Sequence, residues 1–447
     1  MTHAIMLGLG IALFFLTRRL FYKNTELFIC LLIPINYEFF HLLPRIGQYD
    51  NYREALLVVL ILNLIEYFFL RPITMGKQIN PYQSRMFSHF INAYLLMVFI
   101  GVINSLFWGQ PLILALMEVK FHLTILVFFL IAYRDFDVNK FFNYLFIMMG
   151  IFGVILIVQY ALYEQIKIFY FYKDTDTHVR GLEEIRGLRL VEGSEIIAIC
   201  SVAAFSRYIV TKQKKFLFTA IYFFLLIVFV AKYRAYIATI PATYLAVYLF
   251  NNGMNPKVLI MFMALLILIP VITLVAINSP SFSDYQIIRA VDRDLKGLKT
   301  GDGDLHIRVL AYQYYYNETM KKPLLGRGVL NFMWEGNKTG DIIKSNALFL
   351  SDIGIFHIFV NFGFMGVVYL LLLFITVFSY ALRYKFELAL LAYFILGLAF
   401  AVEIDIFFYD YMIFMFGIFL GLLQCNLSRI HQQREMQKQY ITSQGVR

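Results

Sequence analysis

The stretch Phe141–Glu164, FFNYLFIMMGIFGVILIVQYALYE, carries no ionised side chain before its last position. Crossing the hydrocarbon core of a bilayer takes about 20 mostly apolar residues in a helix. A run this long and this apolar therefore reads as a membrane span, and the same reading extends outward along the chain. Segments of this kind cover 2–17, 25–44, 54–71, 87–108, 111–133, 141–164, 194–210, 216–232, 235–250, 257–277, 356–382, 386–402 and 406–424. They predict an all-α polytopic membrane protein with about 12–13 transmembrane helices, 1–447 forming a single transmembrane domain.

Composition agrees. The chain of 447 residues is 60% hydrophobic, 18% aromatic and only 15% charged. Soluble domains hold about 25% charged residues. The net charge of +10 does not point to nucleic acid, because the cations sit in short loops between apolar runs, where they orient spans. Arg18/Arg19/Lys23, Arg71/Lys77/Arg85, Lys212/Lys214/Lys215, Arg383/Lys385 and the tail residues Arg429, Arg434 and Lys438 alternate with the spans. By the positive-inside rule this puts the C-terminus and the tail 425–447 in the cytoplasm and the N-terminus outside. The first apolar run, Ala4–Leu16, lacks a basic leader and a small-residue cleavage site and reads as a span, not a signal peptide. Cys30, Cys200 and Cys425 all lie in or beside apolar runs and define neither a disulfide framework nor a metal motif.

Two loops are long, 165–193 and 279–346, and both fall on the outer side of this topology. The second has internal pattern. Asp302 or Asp304 can cap a helix. From Leu305 to Lys321, Ile307, Leu310, Ala311 and Tyr314 recur at helical spacing, which predicts an amphipathic helix on the membrane surface. Pro323 ends it, and a Gly326-Arg327-Gly328 turn follows. Gly301-Asp-Gly-Asp304 lacks the further ligands of an ion loop and reads as part of the helix cap.

Ionised groups at the outer ends of spans are candidates for chemistry. Arg234 stands with Lys232 between two apolar runs with almost no loop. Arg308 lies among the apolar residues of the amphipathic helix. Arg180, Arg186 and Arg189 precede a span in the first loop, Arg189 leading directly into it. His357 opens a span, with Asp352 shortly before it. Each has a plainer reading, as a snorkelling anchor, a headgroup contact or a satisfied interfacial side chain. Glu38 and His41, and Lys120 and His122, are intramembrane polar residues that line a cavity or pair near a span end.

Three segments occur in order: Arg186-Gly-Leu-Arg189 through Gly193-Ser194-Glu195; Ala231-Lys-Tyr-Arg234-Ala235; and Arg308 followed by Pro323-Leu-Leu-Gly326-Arg-Gly328, then Ser351-Asp352-Ile353-Gly354, His357 and Gly363…Gly366. Their order resembles the O-antigen polymerase/ligase superfamily of C-type membrane glycosyltransferases, over roughly 185–370. The chain departs from that pattern in having Tyr233 where the family has Ser and Glu195 where Asn is common. The adjacent His-Asn pair of ligases is not there, since Ile358 follows His357, which favours a polymerase.

The resemblance implies transfer of a glycan from undecaprenyl diphosphate to a lipid-linked repeat unit, at the extracytoplasmic face of a bacterial inner membrane. The partners implied are the undecaprenyl-diphosphate-linked oligosaccharide as donor and acceptor, membrane lipid and a chain-length regulator protein. No cofactor, metal or nucleic acid is expected. Arg186, Arg189, Arg234, Arg308 and His357 are the implied diphosphate-binding residues, since fixed cations stabilise a leaving diphosphate. Arg189, Arg234, Arg308, His357 and Asp352 are the implied catalytic set. Asp352 is preferred as proton acceptor over Glu192, Glu195, Glu403 and Asp405. The alternatives are a ligase that transfers the glycan to lipid A core and, in another class, a transporter that forms no bond.

Overall fold

The computed structural model describes residues 2–43, 52–70, 85–163, 165–166, 168–169, 182–183, 187–188, 190–253, 296, 304–331, 334, 350–384, 387–399, 407 and 411–445. The candidate span 257–277 lies outside them. The helices are α1 (Thr2–Lys23), α2 (Thr25–Asn36), α3 (Tyr52–Ile65), α4 (Met86–Phe107), α5 (Leu112–His122), α6 (Val127–Ala132), α7 (Val138–Ala161), α8 (Ser194–Thr211), α9 (Lys214–Leu226), α10 (Arg234–Asn252), α11 (Asp304–Thr319), α12 (Phe356–Tyr384), α13 (Leu388–Ala399) and α14 (Met412–Gly445). A two-residue antiparallel ladder, Leu182–Glu183 with Gly187–Leu188, is the other regular structure among the described residues.

Among the described residues, 8 helices are long and apolar enough to cross a membrane. The protein is an all-α polytopic membrane protein. Several expected spans are shorter or broken, for local reasons. Pro34 removes a backbone donor in α2, which stops at Asn36. The helix after α3 loosens into a π turn, Glu66–Leu70. Leu112–Ala132 crosses as one unit but tightens into a 3-10 turn at Leu123–Leu126. The tail expected from 425 begins inside α14. α14 runs unbroken past that point, Cys425 and Leu427 are buried, and Arg429 binds Asp135 Oδ1 at 2.9 Å. The apolar face of the last span extends into that segment and holds it on the bundle.

The antiparallel helices define two ends. One gathers Arg18 with Glu66 (2.6 Å), Lys140 with Glu26 (3.3 Å) and Arg207 with Asn143 (2.9 Å), together with the Arg429–Asp135 pair. This is the end of the basic loops. The other, the loop-bearing end, carries the described loop segments 190–193 and 320–331. The 304–331 segment is fixed there because Gly328 packs on Gly101 and Ser105, near the end of α4.

Candidate functional site

The site residues lie at the loop-bearing end, in two groups with different supports. The first is built on α12. The turn after α11 is clipped to that helix by its backbone: Arg327 N donates to Val360 O (2.8 Å), Gly328 N to Asn361 O (2.9 Å) and Phe364 N to Pro323 O (2.8 Å). Gly326 and Gly363 meet back to back, with φ of +66° and +60°. A Cβ at Gly326 would come within 2.6 Å of Gly363 N and Val360 O. From the other side, Asn104 Nδ2 donates to Gly326 O (3.0 Å) and Gln110 Nε2 to Val329 O (3.0 Å). Asn331 Nδ2 donates to Glu118 Oε2 (3.1 Å). The Pro-Gly turn is thus wedged between α4, α5 and α12.

The wedge seats α11, which carries Arg308, against α12, which carries His357. α11 packs its Ala311 and Tyr315 on Ile353 and Val360. Burial raises the Tyr312 phenol pKa, and Arg308 one turn away offsets part of that rise. Tyr312 donates to Ile353 O (3.0 Å) and its ring meets Phe356, the neighbour of His357 (5.4 Å). His357, 8% exposed, has Asn361 Nδ2 2.7 Å from its Nε2. With the amide as donor, the imidazole proton sits on Nδ1. His357 and Asn361 thus pair one helical turn apart. Arg327 is also 8% exposed, and its guanidinium lies over the Tyr315 ring at 5.7 Å. Burial disfavours its charge and outweighs the favourable fields of Tyr314, Tyr315 and Glu318.

The second group surrounds Arg234. Lys232, at φ 49°, and Tyr233 make the whole connection between the π turn Ile227–Ala231 and α10, so Arg234 is the first residue of its helix. Lys232 Nζ stands over the Tyr160 ring at 5.4 Å. Leu190 N donates to Val230 O (3.1 Å), which joins the end of the first long loop to this turn. α10 packs on α8 and α13, whereas α11 packs on α12. Arg234 and Arg308 thus belong to separate supports, with α13 between α10 and α12. Arg180, Arg186, Arg189, Glu403, Asp405 and the side chain of Asp352 lie outside the described residues; the backbone of Asp352 forms part of the turn Leu350–Ile353.

Between the two groups sits a third. After α2 the chain makes a left-handed turn through Glu38, Phe39, Phe40 and His41, with φ of 51–58° at four successive residues, none of them glycine. Left-handed helical geometry costs about 1–2 kcal/mol per such residue. Aromatic packing offsets part of this: Phe40 stacks on Phe152 (4.2 Å), Tyr37 stacks on Tyr411 (5.4 Å) and Phe39 meets Tyr52 edge to face (5.3 Å). The turn carries Glu38, 2% exposed, to 4.0 Å from both Arg53 Nε and His41 Nδ1. Arg53, 1% exposed, is held between the Tyr411 ring at 3.5 Å and the Phe121 ring at 4.6 Å. Next to it, Glu54 takes Lys120 at 2.8 Å and His3 at 2.7 Å. His122 pairs with Tyr94 at 2.6 Å. Sequence reading flagged Glu38 and His41 as intramembrane polar groups but had no signal for Arg53 or for the turn, since no Gly or Asn marks it.

Among the described residues, no group of three or more His, Cys, Asp or Glu side chains could hold a metal ion. Chemically, the first group offers two half-buried or buried guanidinium groups and an imidazole at a membrane surface, a setting suited to a phosphate ester. No protein-family model matches the chain, and no curated protein matches it.

Proposed function

We propose that the chain is a membrane glycosyltransferase that polymerises lipid-linked glycan, moving a growing chain from undecaprenyl diphosphate to a lipid-linked repeat unit at the extracytoplasmic face. The observation that carries this reading is the wedged turn that sets Arg327 and the His357–Asn361 pair together on α12, with Arg308 on the helix packed against it. A desolvated guanidinium is stabilised by an anion more strongly than a hydrated one. Preorganised cations acting on a developing diphosphate supply the largest catalytic contribution available without a nucleotide sugar. Arg234 and Lys232 add positive charge at the same end. The order of the motifs, as the resemblance has it, supports the same chemistry.

A second reading, a ligase using the same donor with lipid A core as acceptor, draws on the same cations and the same His357–Asn361 pair. A cell lacking the native gene and complemented with Arg308→Ala or Arg234→Ala tests both. Loss of long-chain glycan with lipid-linked single repeats accumulating supports the polymerase. Undiminished lipid-linked polymer that fails to reach lipid A core supports the ligase. Wild-type glycan in both variants refutes the assignment of these arginines.

A further inference from the structure

The Glu38–His41–Arg53 turn is the strained, ionised centre that the motif residues leave unexplained, and its neighbours show where it stands. Toward the Arg234 group, Phe40 stacks on Phe152 at 4.2 Å, and a Cβ added to Gly193 would lie 3.1 Å from Phe40. Glu195, two residues further on, acts electrostatically on Tyr37. Toward the Arg308 group the link is α5. Glu118 holds Asn331 of the wedged turn (3.1 Å), Lys120 binds Glu54 (2.8 Å) and Phe121 covers Arg53 (4.6 Å). Those three residues fall within one helical turn, about 5.4 Å of axis. The strained turn therefore lies beside the wedge on one side and beside the first-loop segment on the other.

Its chemistry is that of an imidazole beside a buried carboxylate. Glu38 is buried, whereas the His41 side chain is 23% exposed. Arg53 stands on the far side of the Glu38 carboxylate and is fixed by two aromatic faces. A carboxylate 4.0 Å from an imidazole is beyond hydrogen-bond reach but favours, through its field, the imidazolium that the ring becomes. Strained backbone persists at sites where the surroundings over-determine it, often where it aims a functional side chain.

We propose that His41, with the Glu38 carboxylate beside it, is the proton acceptor of the glycosyl transfer and that the acceptor sugar docks at this turn. The inference rests on the polymerase reading. In the step, the acceptor hydroxyl oxygen forms a bond to the anomeric carbon of the donor glycan. The bond from that carbon to the diphosphate oxygen breaks, and its electron pair leaves with undecaprenyl diphosphate. The hydroxyl proton passes to the His41 imidazole, which later releases it to water. Arg53 is a positioning residue that stands 4.0 Å from the Glu38 carboxylate and fixes its place.

The test uses the full chain in proteoliposomes with undecaprenyl-diphosphate-linked repeats, comparing wild type, His41→Ala and His41→Gln. Correct assembly is checked by elution of each variant as wild type and by its binding of the donor lipid within threefold. Both variants are expected to lose about 100- to 10,000-fold in turnover, the usual contribution of general base catalysis. Imidazole added to His41→Ala is expected to restore at least tenfold. Turnover within threefold of wild type in either variant overturns the proposal, as does lost turnover that imidazole leaves unchanged, which marks a structural role. If the wild type itself makes no polymer, the polymerase reading fails and takes this inference with it; polymer from the wild type and from an unaffected His41 variant removes only the inference.

Discussion

Replacing Arg308 or Arg234 with alanine removes one fixed cation and leaves the apolar spans untouched. Losing a single donor to a developing oxyanion lowers turnover by about 100- to 1000-fold. Each variant is therefore expected to insert normally and to show that fall in polymer formation, measured on purified protein. Gly326 is a different kind of residue, because its role is spatial. Gly326→Ala would put a methyl group within 2.6 Å of Gly363 N and Val360 O at a φ of +66°. It is expected to lower the melting temperature in detergent and to abolish activity together, whereas Arg308→Ala lowers activity alone. A Gly326→Ala protein as stable and active as wild type contradicts the wedge. At this scale, Arg234, Arg308 and His357 were legible in the sequence because a charge or imidazole beside an apolar run is conspicuous. Asn361 was not, since its partner is one helical turn away and not adjacent. Nor was the left-handed turn of Glu38–His41, because non-glycine residues that adopt it leave no mark in composition.

Elements were legible to the extent that their apolar period was regular. The helix expected at Leu305–Lys321 is α11, Asp304–Thr319, with Pro323 beyond its end, but its buried face is Ala311 and Tyr315 and not the expected Leu310, which is 40% exposed. The expected spans at 87–108, 194–210 and 356–382 are α4, α8 and α12 within a few residues. Breaks were harder to read. α12 bends at Gly363, where ψ is −150°, because the Pro323–Leu325 backbone needs the room. The contact across the wedge is a tertiary event that no local pattern records. Its strength can be measured. Glu118→Ala removes the acceptor for Asn331 Nδ2 and is expected to speed amide exchange across Gly326–Asn331, leaving exchange in α8 and α9 unchanged. Unaltered protection of Gly326–Asn331 in that variant would show that α5 does not hold the turn.

Over the whole molecule, the alternation of basic loops with apolar runs gave the antiparallel order, and it remains the best guide to orientation. The cations at one end pair with helix-end acids and amides: Arg18 with Glu66, Lys140 with Glu26, Arg207 with Asn143. The described loop segments 190–193 and 320–331 and the three site groups occupy the other end. Orientation is testable with single cysteines in a chain whose Cys30, Cys200 and Cys425 are buried. A cysteine at exposed Lys322 is expected to react with a membrane-impermeant maleimide added outside, and one at exposed Lys212 only after the membrane is opened. The reverse labelling would invert the topology and place the cations away from any lipid-linked glycan exported to the outer face. What the sequence could not supply is the arrangement of the three groups, because Arg53, Glu38 and Asn331 meet only through helices distant in order. The most direct measurement is polymer formation by the purified chain in proteoliposomes supplied only with undecaprenyl-diphosphate-linked repeats. The expected result is a ladder of lipid-linked glycans with undecaprenyl diphosphate released in step with each new bond. Repeats that remain single, or that cross the bilayer with no bond formed, would contradict it.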